Sequence, residues 1–177
     1  MIKEILKKII PVSLRNKIRA IQYKLFGVDR GYKHLSSEDI FDNIYNKGIW
    51  GKDEQSNSTS GTGSHKVEIV NPYVHLVKKI LTENNINSVA DLGCGDFAVG
   101  SLLVDYCEIY NAYDVSKVIL DRNRSKYQLP NLKFEKLDLS KDILPYADIA
   151  FVRQVLQHLS NEDIKSFVDQ VNISKNF

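Results

Sequence analysis

What this sequence lacks narrows it first. No uninterrupted apolar run approaches the ~20 residues of a membrane-spanning helix. The first residues show no continuous apolar stretch followed by a small-residue cleavage site, so no secretory signal is expected. Cysteine is scarce: Cys94 and Cys107 stand alone, without Cys-x-x-Cys spacing or a neighbouring histidine cluster. That argues against a disulfide framework and a structural zinc site, so no metal is expected and the reducing cytoplasm is the natural setting. An excess of charge is also missing, since 24 Lys and Arg face 22 Asp and Glu for a net +2 over 177 residues.

That small net charge is unevenly spread. Positions 1–26 hold seven basic residues against Glu4 alone, so this segment carries +6 and the remainder −4. A mildly acidic body argues against a nucleic-acid groove. The segment itself reads as two short amphipathic helices broken at Pro11, with Ile2, Ile5, Leu6, Ile9 and Ile10 on one stripe and Leu14, Ile18, Ile21 and Leu25 on the other. A basic amphipathic helix suits an anionic membrane surface, here the inner face of the membrane; it suits packing on its own domain or a partner equally well. Residues 1–35 are therefore taken as a basic helical extension.

Residues 36–87 read as a helical cap and a polar loop ahead of the main domain. "SSEDIFDNIYNK" has a Ser cap, acids in its first turn, and Ile40, Phe41, Ile44 and Tyr45 on one face. "GIWGKDEQSNSTSGTGSHK" holds the sole tryptophan, Trp50, and a turn running Ser60-Gly61-Thr62-Gly63-Ser64. Such a turn is either plain surface or a ligand-contacting loop whose backbone N–H groups meet an anion. A helix is predicted over 66–84. From residue 88 to 177 strands and helices alternate: strands over 87–92, 108–114, 131–138 and 146–152, helices over 98–106, 116–127 and 161–173. Alternation of this kind predicts an α/β fold, a Rossmann-like, doubly wound, mostly parallel sheet with helices on both faces.

In open α/β sheets the ligand lies beyond the carboxyl ends of the strands. Three of the four predicted strand ends carry an acid, Asp91, Asp114 and Asp138, and the fourth carries Arg153-Gln154. The first end runs into "DLGCGDFAVG". Gly93-x-Gly95-x-x-Ala98 satisfies the dinucleotide fingerprint in its Gly/Ala form, which leaves an NAD(P)-dependent oxidoreductase open. Asp91 and Asp96 count against it, because a carboxylate inside the turn repels a pyrophosphate by about 1 kcal/mol or more in a partly dry site. A ligand with a positive centre, a ribose and no phosphate removes the conflict. S-adenosylmethionine is such a ligand, and Asp114, about twenty residues on, is placed for its ribose hydroxyls.

"VADLGCGDFAVG" resembles the first motif of the class I S-adenosylmethionine-dependent methyltransferases, with Phe97 in place of its last glycine. "YNAYDVS", "EKLDLS" and "ADIAFVRQVLQHL" resemble the next three, in order, over residues 88–160. The resemblance implies S-adenosylmethionine as cofactor and S-adenosylhomocysteine as product. It implies that Gly93, Cys94 and Gly95 lie against the methionine and ribose, with Asp91 orienting the turn or meeting the ammonium. It gives Asp114 and Val115 the ribose end, Asp138 and Leu139 the adenine, and Arg153 and Gln154 the cofactor or acceptor. Cys94 itself reads as a small filler, not a nucleophile. Trp-Gly followed by Ser-Gly-x-Gly-Ser is similar to bacterial methyltransferases of surface-polysaccharide and small-metabolite pathways. That likeness adds Trp50, Ser60, Gly61, Gly63 and Ser64, the turn closing over the methionine carboxylate. His158 is the candidate general base, although many histidines at this place only pack the helix. Tyr45, Trp50 and Tyr73 read equally as core, and His65 and His75 as loop and helix-surface residues.

A seven-stranded sheet is expected of that family, and only four strands are legible here, in order 3-2-1-4. The expectation is a shortened form of a longer enzyme, with the fourth strand an exposed edge open to pairing with another chain. The activity expected is methyl transfer to a small-molecule acceptor, a sugar or polysaccharide precursor methylated on oxygen. The alternative of another class is a non-catalytic fragment that binds cofactor or partner.

Overall fold

The computed structural model describes residues 35–174. The two amphipathic segments expected in 1–26 lie outside the described residues. Helix α1 (Ser37–Lys47) opens with a capping box, in which Ser36 Oγ accepts the Asp39 N–H and the Asp39 carboxylate accepts the Ser36 N–H. Gly48, at φ 61°, closes it in the left-handed conformation. A polar segment with a 3₁₀ turn at Thr62–Ser64 leads to α2 (Val67–Glu83). The remaining elements are β1 (Ser88–Leu92), β2 (Ile109–Asp114), α3 (Lys117–Lys126), β3 (Leu132–Lys136), β4 (Ile149–Phe151) and α4 (Asn161–Ser174).

All four strands are parallel, as the alternating pattern predicts, and lie in the order β3-β2-β1-β4 that the family resemblance implies. β1 and β2 hold the centre; β3 and β4 form the edges. Period-2 alternation splits each strand between two cores. Val89, Tyr110, Ala112 and Phe134 face α2, through Val70, Val74, Val77 and Leu81. Ala90, Leu92 and Tyr113 face the other way, toward Leu144 and Phe167 of α4. Covering both faces is what a parallel sheet requires. Helix α1 packs on α3, with Asp42 Oδ1 accepting the Ser116 hydroxyl at 2.6 Å and the Val118 N–H at 3.1 Å. Segment 36–87 thus belongs to the same compact unit as the sheet.

One predicted element is different. The helix expected over 98–106 is two 3₁₀ turns, Gly100–Leu102 and Val104–Tyr106. Phe97 sits at φ 60° and is fully buried, edge-on to Tyr110, Tyr127 and Phe134. Its ring packs so closely on Gly100 that a Cβ there would collide with it. Packing of this ring against the sheet overrides the apolar helical spacing of 98–106. The predicted helices over 66–84, 116–127 and 161–173 are present within a residue or so of their expected ends. The strand expected over 146–152 is shorter, at 149–151. Among the described residues no helix is long and apolar enough to cross a membrane.

Phe97 is the pivot of this crossover. Phe97→Ala is expected to lower unfolding stability by about 3–5 kcal/mol, the usual loss for truncating a buried ring, read as a shift in the urea midpoint.

Candidate functional site

Strand order reverses direction at β1, because the chain moves outward through β2 and β3 and returns to β4 on the opposite side. The crevice between the ends of β1 and β4 is therefore the expected ligand site. A cavity of about 630 Å³ opens there.

Its floor is the turn after β1. Gly93 (φ 84°) and Gly95 (φ 56°) both take the left-handed conformation, and neither has room for a Cβ: one on Gly93 would strike Val155, one on Gly95 the Ser60 hydroxyl. The N–H groups of Gly93 and Cys94 donate to the Tyr113 carbonyl at 2.8 Å. The Gly95 N–H donates to Asp114 Oδ2 at 3.0 Å, and its carbonyl accepts from Asn123 Nδ2 of α3 at 2.7 Å. The turn is held from β2 and from α3 at once.

Every residue singled out from the sequence lies on the cavity wall. The turn contributes Asp91, Gly93, Cys94 and Gly95; β2 and the end of β3 contribute Asp114, Val115, Asp138 and Leu139. Arg153, Gln154 and His158 come from beyond β4, and Trp50, Ser60, Gly61, Gly63 and Ser64 from the polar segment. The residues alone had left that last group open between plain surface and a ligand-contacting loop. Arg153 explains its place: Nη2 donates to the Gly63 carbonyl at 2.6 Å, Nη1 to Ser64 Oγ at 3.4 Å, and the guanidinium lies over the Tyr73 ring. Gln154 takes φ 56°, unusual for a residue with a side chain, and its amide fills the space a Cβ on Gly63 would need.

The wall is acidic. Among the described residues, Asp91, Asp96, Asp114 and Asp138 line it, against Arg153 as the one guanidinium. Burial pushes Asp91 up to about 7, opposed by the hydroxyl of Tyr110, which donates at 3.0 Å. Burial also raises Asp114 to about 6, opposed by the N–H groups of Ser116, Gly95 and Val115. At Asp138 burial acts the same way, but Ser140 and Lys141 outweigh it and hold the carboxyl below its ordinary value. Burial lowers the His158 imidazole from its ordinary value, which favours the neutral form. Trp50 packs against it, with ring centroids 4.8 Å apart, and against Phe41 and Tyr45 edge-on. Burial raises the Cys94 thiol well above its ordinary value, which suits a filler.

Three residues at or behind the wall were given no part in the site by the sequence reading. Tyr45 is buried, with its hydroxyl 3.2 Å from Ser60 Oγ. His65, read as a plain loop residue, has Nε2 2.6 Å from Asp96. Asn123 left one signal, a carboxamide on the apolar face of a helix between Leu120 and Tyr127.

No family model and no curated protein matches the chain. Solved structures do. The methyltransferase domain of a bacterial Hen1 is 26% identical, with 58% of each chain covered and a TM-score of 0.50. Magnesium protoporphyrin IX methyltransferase from Synechocystis PCC 6803, with S-adenosylmethionine bound, is 17% identical over 78% of this chain and 72% of that one, TM-score 0.56. An amino pentose methyltransferase from Micromonospora echinaspora is 14% identical over 61% and 46%, TM-score 0.51. The chain spans under three fifths of the Hen1 domain's length, 58%. Sheet order, glycine turn and these neighbours agree on one architecture: the chain has the class I S-adenosylmethionine-dependent methyltransferase fold.

Proposed function

We propose that this chain binds S-adenosylmethionine and transfers its methyl group to a small-molecule acceptor, leaving S-adenosylhomocysteine. The observation that carries this reading is an acid-lined cavity on a glycine turn with no α-helix behind it. A dinucleotide pyrophosphate needs the N–H groups of a helix N-terminus at that turn. Here the turn leads into 3₁₀ structure and carries Asp96. The oxidoreductase alternative loses its phosphate site on both counts. A nucleoside with a cationic centre and no phosphate suits the same donors and acids.

When bound, the cofactor supplies an electrophilic methyl group on a cationic sulfur. The chain's own residues would hold and orient. Asp114, with Val115 beside it, would accept from the ribose hydroxyls, and Asp138 from the adenine amine, with Leu139 against the base. The backbone of Gly93, Cys94 and Gly95 would lie along the methionine, with Asp91 near its ammonium and the Gly61–Ser64 turn near its carboxylate. Most of the rate would come from positioning. An acceptor that must lose a proton needs a base, and neutral His158 on the wall is the candidate. Four carboxylates against one guanidinium disfavour an anionic acceptor. A neutral sugar hydroxyl, set against Trp50 and Phe41, is the class that fits best, consistent with O-methylation of a sugar or polysaccharide precursor in the cytoplasm.

Calorimetric titration of the full chain is expected to give micromolar binding of S-adenosylhomocysteine and none of NAD. Asp114→Ala should weaken it roughly ten- to hundredfold, the usual worth of a hydrogen bond to a charged group. NAD binding in place of S-adenosylhomocysteine would reverse the assignment. Binding without methyl transfer to any acceptor would favour the non-catalytic alternative.

The raised Asp114 carboxyl sets a pH dependence. Its ionised form is the better acceptor, so affinity should rise from pH 5 to 7 as the group ionises near 6. Asp114→Asn should remove that part of the profile.

Gly95→Ala should destabilise the fold by about 1–2 kcal/mol through its left-handed backbone alone, and should weaken S-adenosylhomocysteine binding as Ser60 is displaced. Normal affinity in a folded Gly95→Ala chain would show that the close approach of Ser60 to the turn is irrelevant to the ligand.

A further inference from the structure

One acid on the cavity wall has no role in the reading above. Asp96 exchanges a reciprocal pair of bonds with a residue 36 positions earlier: the Ser60 N–H donates to Asp96 Oδ2 at 2.8 Å, and the Asp96 N–H donates to Ser60 Oγ at 2.8 Å. The same Oδ2 lies 2.6 Å from His65 Nε2. Among the described residues the other partner of this carboxylate is the nearby Ala98 N–H, at 3.3 Å. Both strong contacts therefore reach the segment 57–65. The Asp96 side chain is 13% exposed and its bonds with Ser60 are partly buried, while the His65 side chain, at 41% exposed, meets it from the solvent side.

The segment touches the site at two glycines. Ser60 sits where a Cβ on Gly95 would be, and Gly63 sits where Gln154 leaves no space for one. Arg153 fastens the second contact and Asp96 the first. Between them, Gly61–Ser64 lies across the cavity wall.

We propose that Asp96 is a positioning residue that latches segment 57–65 over the cavity and so sets how fast the cofactor leaves. This rests on the cofactor proposed above. Release requires the segment to lift, and lifting breaks two charge-assisted bonds in a partly dry site. Asp96 touches the strap, not the reacting atoms, so its effect falls on exchange rather than on chemistry.

The test uses the full chain and two readouts. Without ligand, amide hydrogen exchange of residues 60–65 reports the latch directly. With S-adenosylhomocysteine, stopped-flow dissociation followed by Trp50 fluorescence reports release, since Trp50 is the one tryptophan and adjoins Gly61. Asp96→Ala should speed both roughly ten- to hundredfold. Asp96→Asn keeps an acceptor for the Ser60 N–H but loses the charge facing His65, so it should fall between. His65→Ala should match Asp96→Asn, and the double variant should add nothing to either. Unchanged exchange and release in Asp96→Ala would overturn the latch; should that variant fail to fold, unchanged values in Asp96→Asn and His65→Ala overturn it equally. A wild-type chain that binds no S-adenosylhomocysteine would refute the proposed function instead, and the ligand-free exchange would still decide the latch.

Discussion

The close approach of backbone at Gly93–Gly95 is the constraint on which the rest of the site depends. At the end of β1 the chain must turn sharply while three neighbours press on it: Val155 beyond β4, Ser60 of the polar segment, and Asn123 of α3. Only residues without a Cβ admit all three. Because the turn is this thin, the ends of β1, β2 and β4 converge on one cavity. Because it is gripped from several elements, its N–H groups and carbonyls keep fixed directions. Asp114 is the clearest case: one oxygen takes the Gly95 N–H and the other the Ser116 N–H. It is a wall of the cavity and a brace of its floor.

Charge follows from that geometry. Carboxylates carried at the ends of parallel strands are brought side by side and out of water, which raises Asp91 and Asp114 toward neutrality. The structure meets this chiefly with donors: Tyr110 to Asp91, backbone amides to Asp114, Ser60 and His65 to Asp96, with Lys141 the cation at Asp138. Arg153 is spent on the Gly63 carbonyl and Ser64 rather than on an acid. An acid-lined cavity with its guanidinium already engaged favours a ligand that brings positive charge of its own.

Much of the fold is legible in the residues themselves. Strand–helix alternation follows from period-2 and period-3.6 patterning, which are local properties, whereas the order 3-2-1-4 is what the resemblance to the methyltransferase motifs implies. Segment 98–106 shows where locality fails. "AVGSLLVDY" has helical spacing, yet Phe97 enters the core at positive φ and packs on Gly100, and the helix does not form. That outcome depends on Tyr110, Tyr127 and Phe134 meeting the same ring from other elements. Spacing along one segment carries no record of such neighbours.

The site divides in the same way. Glycines and acids announce themselves, because a turn without Cβ atoms and a carboxylate at a strand end have chemical signatures at short range. The sequence alone therefore determined the turn and the acids at the strand ends. Which residues roof that turn was decided only by tertiary structure. Asp96 and Ser60 are 36 positions apart, and Arg153 and Gly63 are 90 apart. These pairs are hydrogen bonds between a side chain and another segment's backbone, and the backbone half has no residue identity to read.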